Sequence, residues 1–437
     1  MTSQKRKMLR LLGTGFGIAV IIGGTIGVGI LRMPGVVAGQ LQNAWLILAT
    51  WSLGGIYSLL ASLSITELAV LAPRAGGFYN YARLAFGDFA GFAVGWADWF
   101  VKCAASAYIA VTLGEYMQPL VPWLSHNPRM VGIAGLLGFA LLQWRGLRLD
   151  SWTQGLTSTL KAFSFLLLVA ASFVLGHGFS SSQDPSSREW PSISASLALP
   201  LLVAFQSVIV TYDGYYGAIY FAEEDHNPSR DLPRSMIGGV LLVMAIYLLF
   251  NFSLLATLSI SEIAESKLPA AAAAQRLLGP NGGWWITMLS VISIVPLLHA
   301  LLMMATRILF ALSRDGLFFA QASVVNRGGT PQAAMIVSVG TAVVLVASRT
   351  FERLVAIASF FVAAISLVTF AAFFALRIRF PSPRRTFRAW GYPYTTGLVL
   401  LGAGVFLGAA IFEDTRNSLV SLIVISMAYP VYRMVRR

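Results

Sequence analysis

Charged side chains are scarce in this chain of 437 residues: 11% are Asp, Glu, Lys or Arg, whereas 57% are hydrophobic. Ordinary soluble domains carry about 25% charged residues, so a soluble protein of this composition could not cover its own surface. The single cysteine, Cys103, excludes an intrachain disulfide and a cysteine-rich metal site. The four histidines show no metal-ligand spacing, and no nucleophile or nucleotide motif occurs. We therefore expect no catalytic residue, no metal and no cofactor.

Long apolar runs fill the chain instead, and they predict an all-α integral membrane protein, because helices pair their backbone groups internally within lipid. Twelve segments are long enough to span a bilayer. They lie near residues 11–38, 44–72, 88–118, 129–147, 151–176, 196–224, 234–260, 284–312, 332–348, 353–376, 394–412 and 417–434. The longest polar interruption, at 177–192, is only a loop, so no soluble domain is expected.

The basic residues, which give the chain a formal net charge of +13, indicate its orientation. With these spans, 20 of the 31 Lys and Arg residues fall on the side of the N-terminus and 7 on the other side. Such an excess is typical of the cytoplasmic face. The sequence therefore predicts that both termini are cytoplasmic, including the N-terminal segment 1–10, and it gives no reason to expect a nucleic-acid partner.

Two of the predicted spans are interrupted by glycine-rich breaks. The first break is GGTIGVGI, residues 23–30, and the second break is TYDGYYG, residues 211–217. Glycines in mid-span weaken a helix, and the freed backbone groups are tolerated where they line a cavity. Short amphipathic segments also recur after the second and seventh spans. Because the breaks are five spans apart, the second half enters the membrane inverted, which is the layout of many secondary transporters.

Several motifs resemble the amino acid–polyamine–organocation (APC) superfamily. They are GTIGVGI in the first break, PRAGGFYNYARLAFG at 73–87, TYDGYYGAIYFAEEDHNPSRDLPRSM at 211–236, SRDGLFF at 313–319 and FRAWGYPYTTG at 387–397. Together they cover nearly the whole chain in order, and they are most similar to those of bacterial relatives of the L-type and cationic amino acid transporters. The resemblance implies a 5+5 inverted repeat (the APC fold) with discontinuous helices 1 and 6. The repeats would be residues 11–176 and 196–376, followed by two C-terminal helices at 394–434.

The first break offers exposed N–H groups at a helix start, which suit an anion such as a carboxylate. The resemblance places the substrate's carboxylate and part of its amino group on residues of this break. They are Thr25, Ile26, Val28, Gly29 and Ile30.

At the second break, the carbonyl end of a half-helix suits an ammonium group. The resemblance implies contacts from Val210, Thr211 and Asp213, with Gly214 forming the turn. Asp213 either attracts the amine or caps the next half-helix, and we favour the capping role.

Lys161 lies within the apolar segment LTSTLKAFSFLLLVAASF. An ammonium in a span is expensive and marks a functional position unless its stem snorkels to the interface. The resemblance favours function, because sodium-independent members carry a lysine here, in place of the sodium ion of sodium-coupled relatives. Proton coupling and plain exchange both stay open.

The sequence thus predicts a sodium-independent transporter of neutral L-amino acids in a bacterial inner membrane. Its expected partners are the amino acid and the lipid bilayer, without a disulfide-linked heavy chain. The alternatives are a permease for cationic amino acids or polyamines and a non-transporting amino acid sensor. Asp98 and Lys102 are expected to form a structural ion pair, His299 to be a packing residue, and Glu223 and Glu224 to meet Arg74.

Overall fold

The computed structural model describes residues 8–118, 120–121, 127–175, 197–266, 268–348, 351–380, 386–413 and 415–435. The predicted loop at 177–192 and most of the N-terminal segment lie outside these residues. The described chain is helical and contains two isolated β-bridges but no strand. Its helices are α1 Thr14–Thr25, α2 Val28–Leu41, α3 Ala44–Leu71, α4 Phe78–Phe86, α5 Asp88–Met117, α6 Pro128–Arg145, α7 Leu147–Leu175, α8 Ala198–Tyr212, α9 Pro228–Thr257, α10 Ile260–Glu265, α11 Pro269–Leu278, α12 Gly282–Arg314, α13 Gln332–Ala347, α14 Phe351–Arg379, α15 Tyr394–Glu413, α16 Thr415–Ser426 and α17 Ala428–Val435.

Eight helical segments of the described chain are long and apolar enough to cross a membrane, and nine if the bent pair α1 and α2 counts as one span. These two helices meet at an angle of 51°. Every one of the twelve predicted spans coincides with a helix or a helix pair, but some are too short or too polar for this criterion; α13, for example, has 16 residues. A multi-pass helical membrane protein is therefore established, and the number twelve stays a prediction.

Both predicted breaks interrupt helices in the structure. Helix α1 ends at Thr25, and α2 begins at Val28 after Gly27, whose backbone is extended with φ −133° and ψ −154°. Helix α8 ends at Tyr212, and the chain then turns through Gly214 at φ +110°. A left-handed φ favours glycine, and a Cβ here would also lie 2.7 Å from the carbonyl oxygen of Gly24. Glycine at 214 thus lets the two breaks approach each other.

A group of packed helices holds the broken helices in place. Helix α1 packs against α7, α9 and α12, while α8 packs against α2 and α3. Helix α5 lies against α6, α12, α13 and α14, so it is surrounded by other helices along much of its length. The two predicted amphipathic segments form the short helices α4 and α11, which rest on α5 and α12 respectively.

Close contact between α5 and α6 depends on small residues. A Cβ on Gly132 of α6 would lie 2.4 Å from the carbonyl oxygen of Ala110 in α5, which is too close for any side chain. Gly138, on the same helix, has no atom within 4 Å of a Cβ position. Because lipid gives helices little hydrophobic reason to associate, such close packing carries much of their attraction.

We predict that Gly132→Val separates α5 from α6 and destabilises the protein by about 1–3 kcal/mol, the usual cost of overpacking. The measurement is the midpoint of thermal unfolding in detergent micelles. Gly138→Val adds the same side chain to open space and is the matched control, expected to change stability by less than about 0.5 kcal/mol. Equal midpoints for the two variants would contradict the packing described here.

Candidate substrate site at the two helix breaks

The two breaks face each other near the middle of the structure. A Cβ on Gly29 would lie 3.3 Å from the side chain of Thr211, and Gly214 approaches the backbone of Gly24 and Thr25. The start of α2, with its free N–H groups, is thus brought beside the carbonyl end of α8. A positive helix end next to a negative one suits the carboxylate and the ammonium of one amino acid.

The predicted site residues differ in burial. Ile26 and Ile30 are fully buried, and Val28 and Gly29 are half-buried. The Thr25 hydroxyl is buried and has no hydrogen-bond partner among the described residues.

Val210, the predicted contact just before the second break, lies on an open face of α8 with 62% of its surface exposed. The contacts among Gly24, Gly29, Thr211 and Gly214 therefore bring the backbone elements of the predicted site together, and they leave Val210 outside that contact.

Lys161 of α7 reaches the end of α1. Its side chain is fully buried, and Nζ donates hydrogen bonds to the carbonyl oxygens of Gly23, at 2.9 Å, and Ile26, at 2.5 Å. These carbonyls belong to the first break, where the helix no longer supplies partners for them. The ammonium therefore holds the broken end of α1 against α7, and snorkelling to the interface does not describe its position.

Tyr247 of α9 links the two breaks, and sequence reasoning missed it. Its hydroxyl lies 2.9 Å from the carbonyl oxygen of Thr25 and 3.0 Å from that of Thr211. One hydroxyl hydrogen is shared between two acceptors, one in each break. The available signal was a lone tyrosine within the apolar run LVMAIYLLFNF at 242–252, since a buried tyrosine hydroxyl usually finds a partner.

Asp213 follows α8 directly and is half-buried. Its carboxylate accepts a hydrogen bond from the hydroxyl of Tyr216 at 3.2 Å. The next helical turn, Gly217–Phe221, has no side-chain cap hydrogen bond, so the capping role of Asp213 stays a prediction. Behind Tyr216 lie Lys102 and Asp98 of α5, whose side chains are 3.4 Å apart.

The sequence is similar to a known protein family over most of its length. The family described as amino acid permease matches residues 17–431. The chain belongs to the amino acid permease family. The permease is 28% identical to the serine/threonine exchanger SteT of Bacillus subtilis, over 99% of this chain and 98% of that one. It is 26% identical to the human b(0,+)-type amino acid transporter 1, over 77% and 69% of the two chains. The Asc-type amino acid transporter 1 of Mus musculus is 27% identical, over 80% and 67%.

Membership confirms the APC resemblance, and it establishes an amino acid transporter rather than an enzyme. The family model begins at residue 17 and so includes both breaks. The second break also leads to the side of the protein where the segment before α1 lies.

A cluster of charged residues follows the second break on that side. Glu223 meets Arg314 at 2.5 Å and accepts a bond from the backbone N–H of Ala75, while Glu224 meets Arg307 at 3.3 Å. The expected partner was Arg74, and the structure places Arg314 and Arg307 of α12 there instead. These arginines lie about ninety residues further along the chain, and only the folded packing of α12 brings them close.

The segment before α1 is fastened to the same cluster. The backbone N–H groups of Leu11 and Leu12 donate to the carbonyl oxygen of Glu224, and the N–H of His226 donates to that of Leu12. Asp225 lies between these contacts and is 5% exposed. Its burial, together with the nearby Asp231 and Glu224 carboxylates, raises the pKa of Asp225 to about 7.

His299 of α12 is buried among polar groups of α7. One ring nitrogen lies 3.1 Å from Oε1 of Gln154 and the other lies 3.3 Å from Oδ1 of Asp150. The ring also stacks on Phe139, with the ring centroids 5.0 Å apart. Both nitrogens thus have protein partners, which confirms the prediction of a hydrogen-bonded packing residue.

We predict that Tyr247→Phe slows transport by about three- to tenfold, because removing the hydroxyl leaves one carbonyl in each break without its partner, at a cost of about 0.5–1.5 kcal/mol. The measurement is exchange in liposomes. Tyr57→Phe is the control, since the Tyr57 hydroxyl donates to the carbonyl oxygen of Val399, which belongs to α15 and not to a break. A Tyr247 variant that transports as fast as the Tyr57 variant would contradict this role.

We also predict that the segment before α1 is held more tightly at pH 6 than at pH 8. Detachment exposes Asp225, whose pKa then falls from about 7 towards its ordinary value. The attached state therefore binds the proton more strongly, and its stability rises as the pH falls through 7. The measurement is thiol labelling of a Leu12→Cys variant, whose side chain is 1% exposed before the exchange.

The labelling rate is divided by that of the same variant carrying Asp225→Asn, which cancels the pH dependence of the thiol itself and of Glu224. This ratio is expected to fall up to about tenfold from pH 8 to pH 6, since one pKa unit corresponds to about 1.4 kcal/mol. The same ratio at both pH values would show that Asp225 does not contribute.

Proposed function

We propose that the permease is a sodium-independent exchanger or proton-coupled symporter of neutral L-amino acids, working by alternating access. The observation that carries this proposal is the Lys161 ammonium, bonded to the carbonyl oxygens of Gly23 and Ile26. Carbonyl oxygens at a broken helix are also what a sodium ion would need. A side chain that already supplies the cation leaves no requirement for sodium.

Neutral substrates are supported by the relatives and by the geometry. The relative that covers almost the whole chain is named as a serine/threonine exchanger, and another as an Asc-type amino acid transporter. In the proposed complex, the N–H groups of Val28, Gly29 and Ile30 bind the carboxylate, and the carbonyl end of α8 at Val210 and Thr211 binds the ammonium. Ile26 lies in the first break, and the Thr25 hydroxyl, which has no hydrogen-bond partner within the described part of the chain, supports a further polar contact.

The proposed architecture is twelve spans in a 5+5 inverted repeat, residues 11–176 and 196–376, followed by two spans at 394–434. The paired breaks and the short helices α4 and α11, at equivalent places in the two halves, support it. We further propose a bacterial inner-membrane location with both termini cytoplasmic. The only cysteine of the chain, Cys103, is buried in α5, which supports a permease without a disulfide-linked heavy chain.

A second candidate, transport of cationic amino acids or polyamines, draws support from Asp213, a half-buried carboxylate at the second break. Its test is part of the same experiment, because labelled arginine or a polyamine would then accumulate in place of a neutral amino acid.

The experiment follows uptake of labelled serine or threonine into liposomes that contain the purified permease. Internal amino acid, external sodium and an inward proton gradient are varied one at a time. Uptake that needs internal substrate and ignores both ions identifies an exchanger, and uptake driven by protons into empty liposomes identifies a symporter. Stimulation by sodium would contradict the proposal, as would the absence of neutral uptake.

We predict that Lys161→Ala lowers exchange at least tenfold, because the buried carbonyls of Gly23 and Ile26 lose a charge-assisted partner worth about 1.5–3 kcal/mol. Ser164→Ala is the matched control on the same helix, since the Ser164 hydroxyl donates within α7, to the carbonyl oxygen of Leu160 at 2.8 Å. Full exchange by the Lys161 variant would remove the main support for sodium independence.

A further inference from the structure

The Asp213 carboxylate belongs to a chain of polar groups that leads from the second break into α5. The Tyr216 hydroxyl donates to Asp213 at 3.2 Å and accepts from Nζ of Lys102 at 3.3 Å. Lys102 lies 3.4 Å from Asp98, and Asp98 accepts from the Tyr220 hydroxyl at 2.7 Å. A single tyrosine therefore separates the carboxylate at the break from a fixed cation.

Lys102 and Asp98 are fixed in this position because they are buried. Their exposed fractions are 3% and 1%, whereas Asp213 is half-buried at the break. Nζ of Lys102 also lies 4.8 Å from the ring centroid of Tyr216 and 5.4 Å from that of Tyr220, within the range of cation–π attraction. The buried ammonium is held beside these groups, and its charge acts on the break from this position.

The Lys102–Asp98 pair acts on Asp213 as an oriented dipole. Nζ of Lys102 and the Asp213 carboxylate both bond to the Tyr216 hydroxyl, whereas the Asp98 carboxylate bonds to the Tyr220 hydroxyl. The positive end of the pair thus points to the second break. The effective dielectric constant inside a protein is far below that of water. The charge of Lys102 therefore still influences Asp213, although the Tyr216 hydroxyl lies between them.

We propose that Lys102 is a specificity-determining residue, which acts as the built-in counter-ion of Asp213 and excludes amino acids with cationic side chains. A guanidinium or ammonium group that approaches Asp213 meets the charge of Lys102 behind Tyr216, and like charges repel. A neutral side chain brings no charge and meets no such barrier. This inference rests on the proposed transport of neutral amino acids and assigns the residue that enforces it.

The test compares how well arginine and threonine compete with labelled threonine in liposome exchange, expressed as the ratio of their inhibition constants. The key variant is Asp98→Asn with Lys102→Met, which removes both buried charges together and keeps an acceptor for the Tyr220 hydroxyl. Removing a whole buried ion pair is tolerated far better than removing one partner. In this variant we expect arginine to compete at least tenfold better relative to threonine.

Two controls identify the cause. Adding Asp213→Asn to the key variant should abolish the gain, because the cation then has no carboxylate to meet. Glu262→Gln with Arg276→Met makes the same change of charge at the ion pair between α10 and α11, whose atoms are 2.8 Å apart, and should leave the ratio unchanged.

Tyr216→Phe is a second test variant. It removes only the hydroxyl between Lys102 and Asp213 and should improve arginine competition by about threefold.

The proposal is overturned if arginine competes as poorly in the key variant as in the wild type while threonine exchange continues, or if the gain survives Asp213→Asn. Should the key variant fail to fold, Tyr216→Phe alone decides, and an unchanged ratio there overturns the proposal too. Wild-type permease that exchanges arginine as readily as threonine likewise overturns it. Absence of any threonine exchange by the wild type is a different result, which refutes the proposed function instead.

Discussion

Backbone groups freed inside a membrane must find partners, and this requirement determines the centre of the permease. The two breaks release carbonyl oxygens where water is scarce. Lys161 takes those of Gly23 and Ile26, and Tyr247 takes those of Thr25 and Thr211. Both donors come from intact helices, α7 and α9. Each broken helix is thus held by side chains of the helices around it.

The same arrangement explains why the buried charges are where they are. Lys161, Lys102 and Arg307 each extend from an unbroken helix to a group in or next to a break. A buried cation is tolerable only with its acceptor in place. If a broken helix moves, these cations must replace their present acceptors by other acceptors or by water. The free energy of substrate binding then has to compensate for the loss of the present contacts.

The breaks and the importance of Lys161 could be predicted from the sequence because each places an unfavourable residue within an apolar span. Glycines in mid-span and an ammonium in an apolar run are unfavourable, and they stand out against 57% hydrophobic residues. Tyr247 is a weaker signal, since a tyrosine in an apolar run is common. Its two partners, the carbonyl oxygens of Thr25 and Thr211, are known only from the structure. Arg74 was expected beside the glutamates because it is basic and lies in a neighbouring loop, whereas Arg307 and Arg314 depend on the tertiary position of α12. A residue that is unfavourable in its local environment can be recognised from the sequence, whereas its contacts with distant residues cannot.

Charge balance at the breaks connects the fold with the substrate. Lys161, Lys102, Asp98 and Asp213 carry two positive and two negative charges when all are ionised, so the site as a whole is neutral. A zwitterionic amino acid with an uncharged side chain leaves this sum at zero, whether it enters from one side or leaves from the other. A cationic substrate adds a charge that the low-dielectric interior has to bear. Under the proposed function, exchange of one neutral amino acid for another would leave unchanged the charge that the broken helices carry through the membrane.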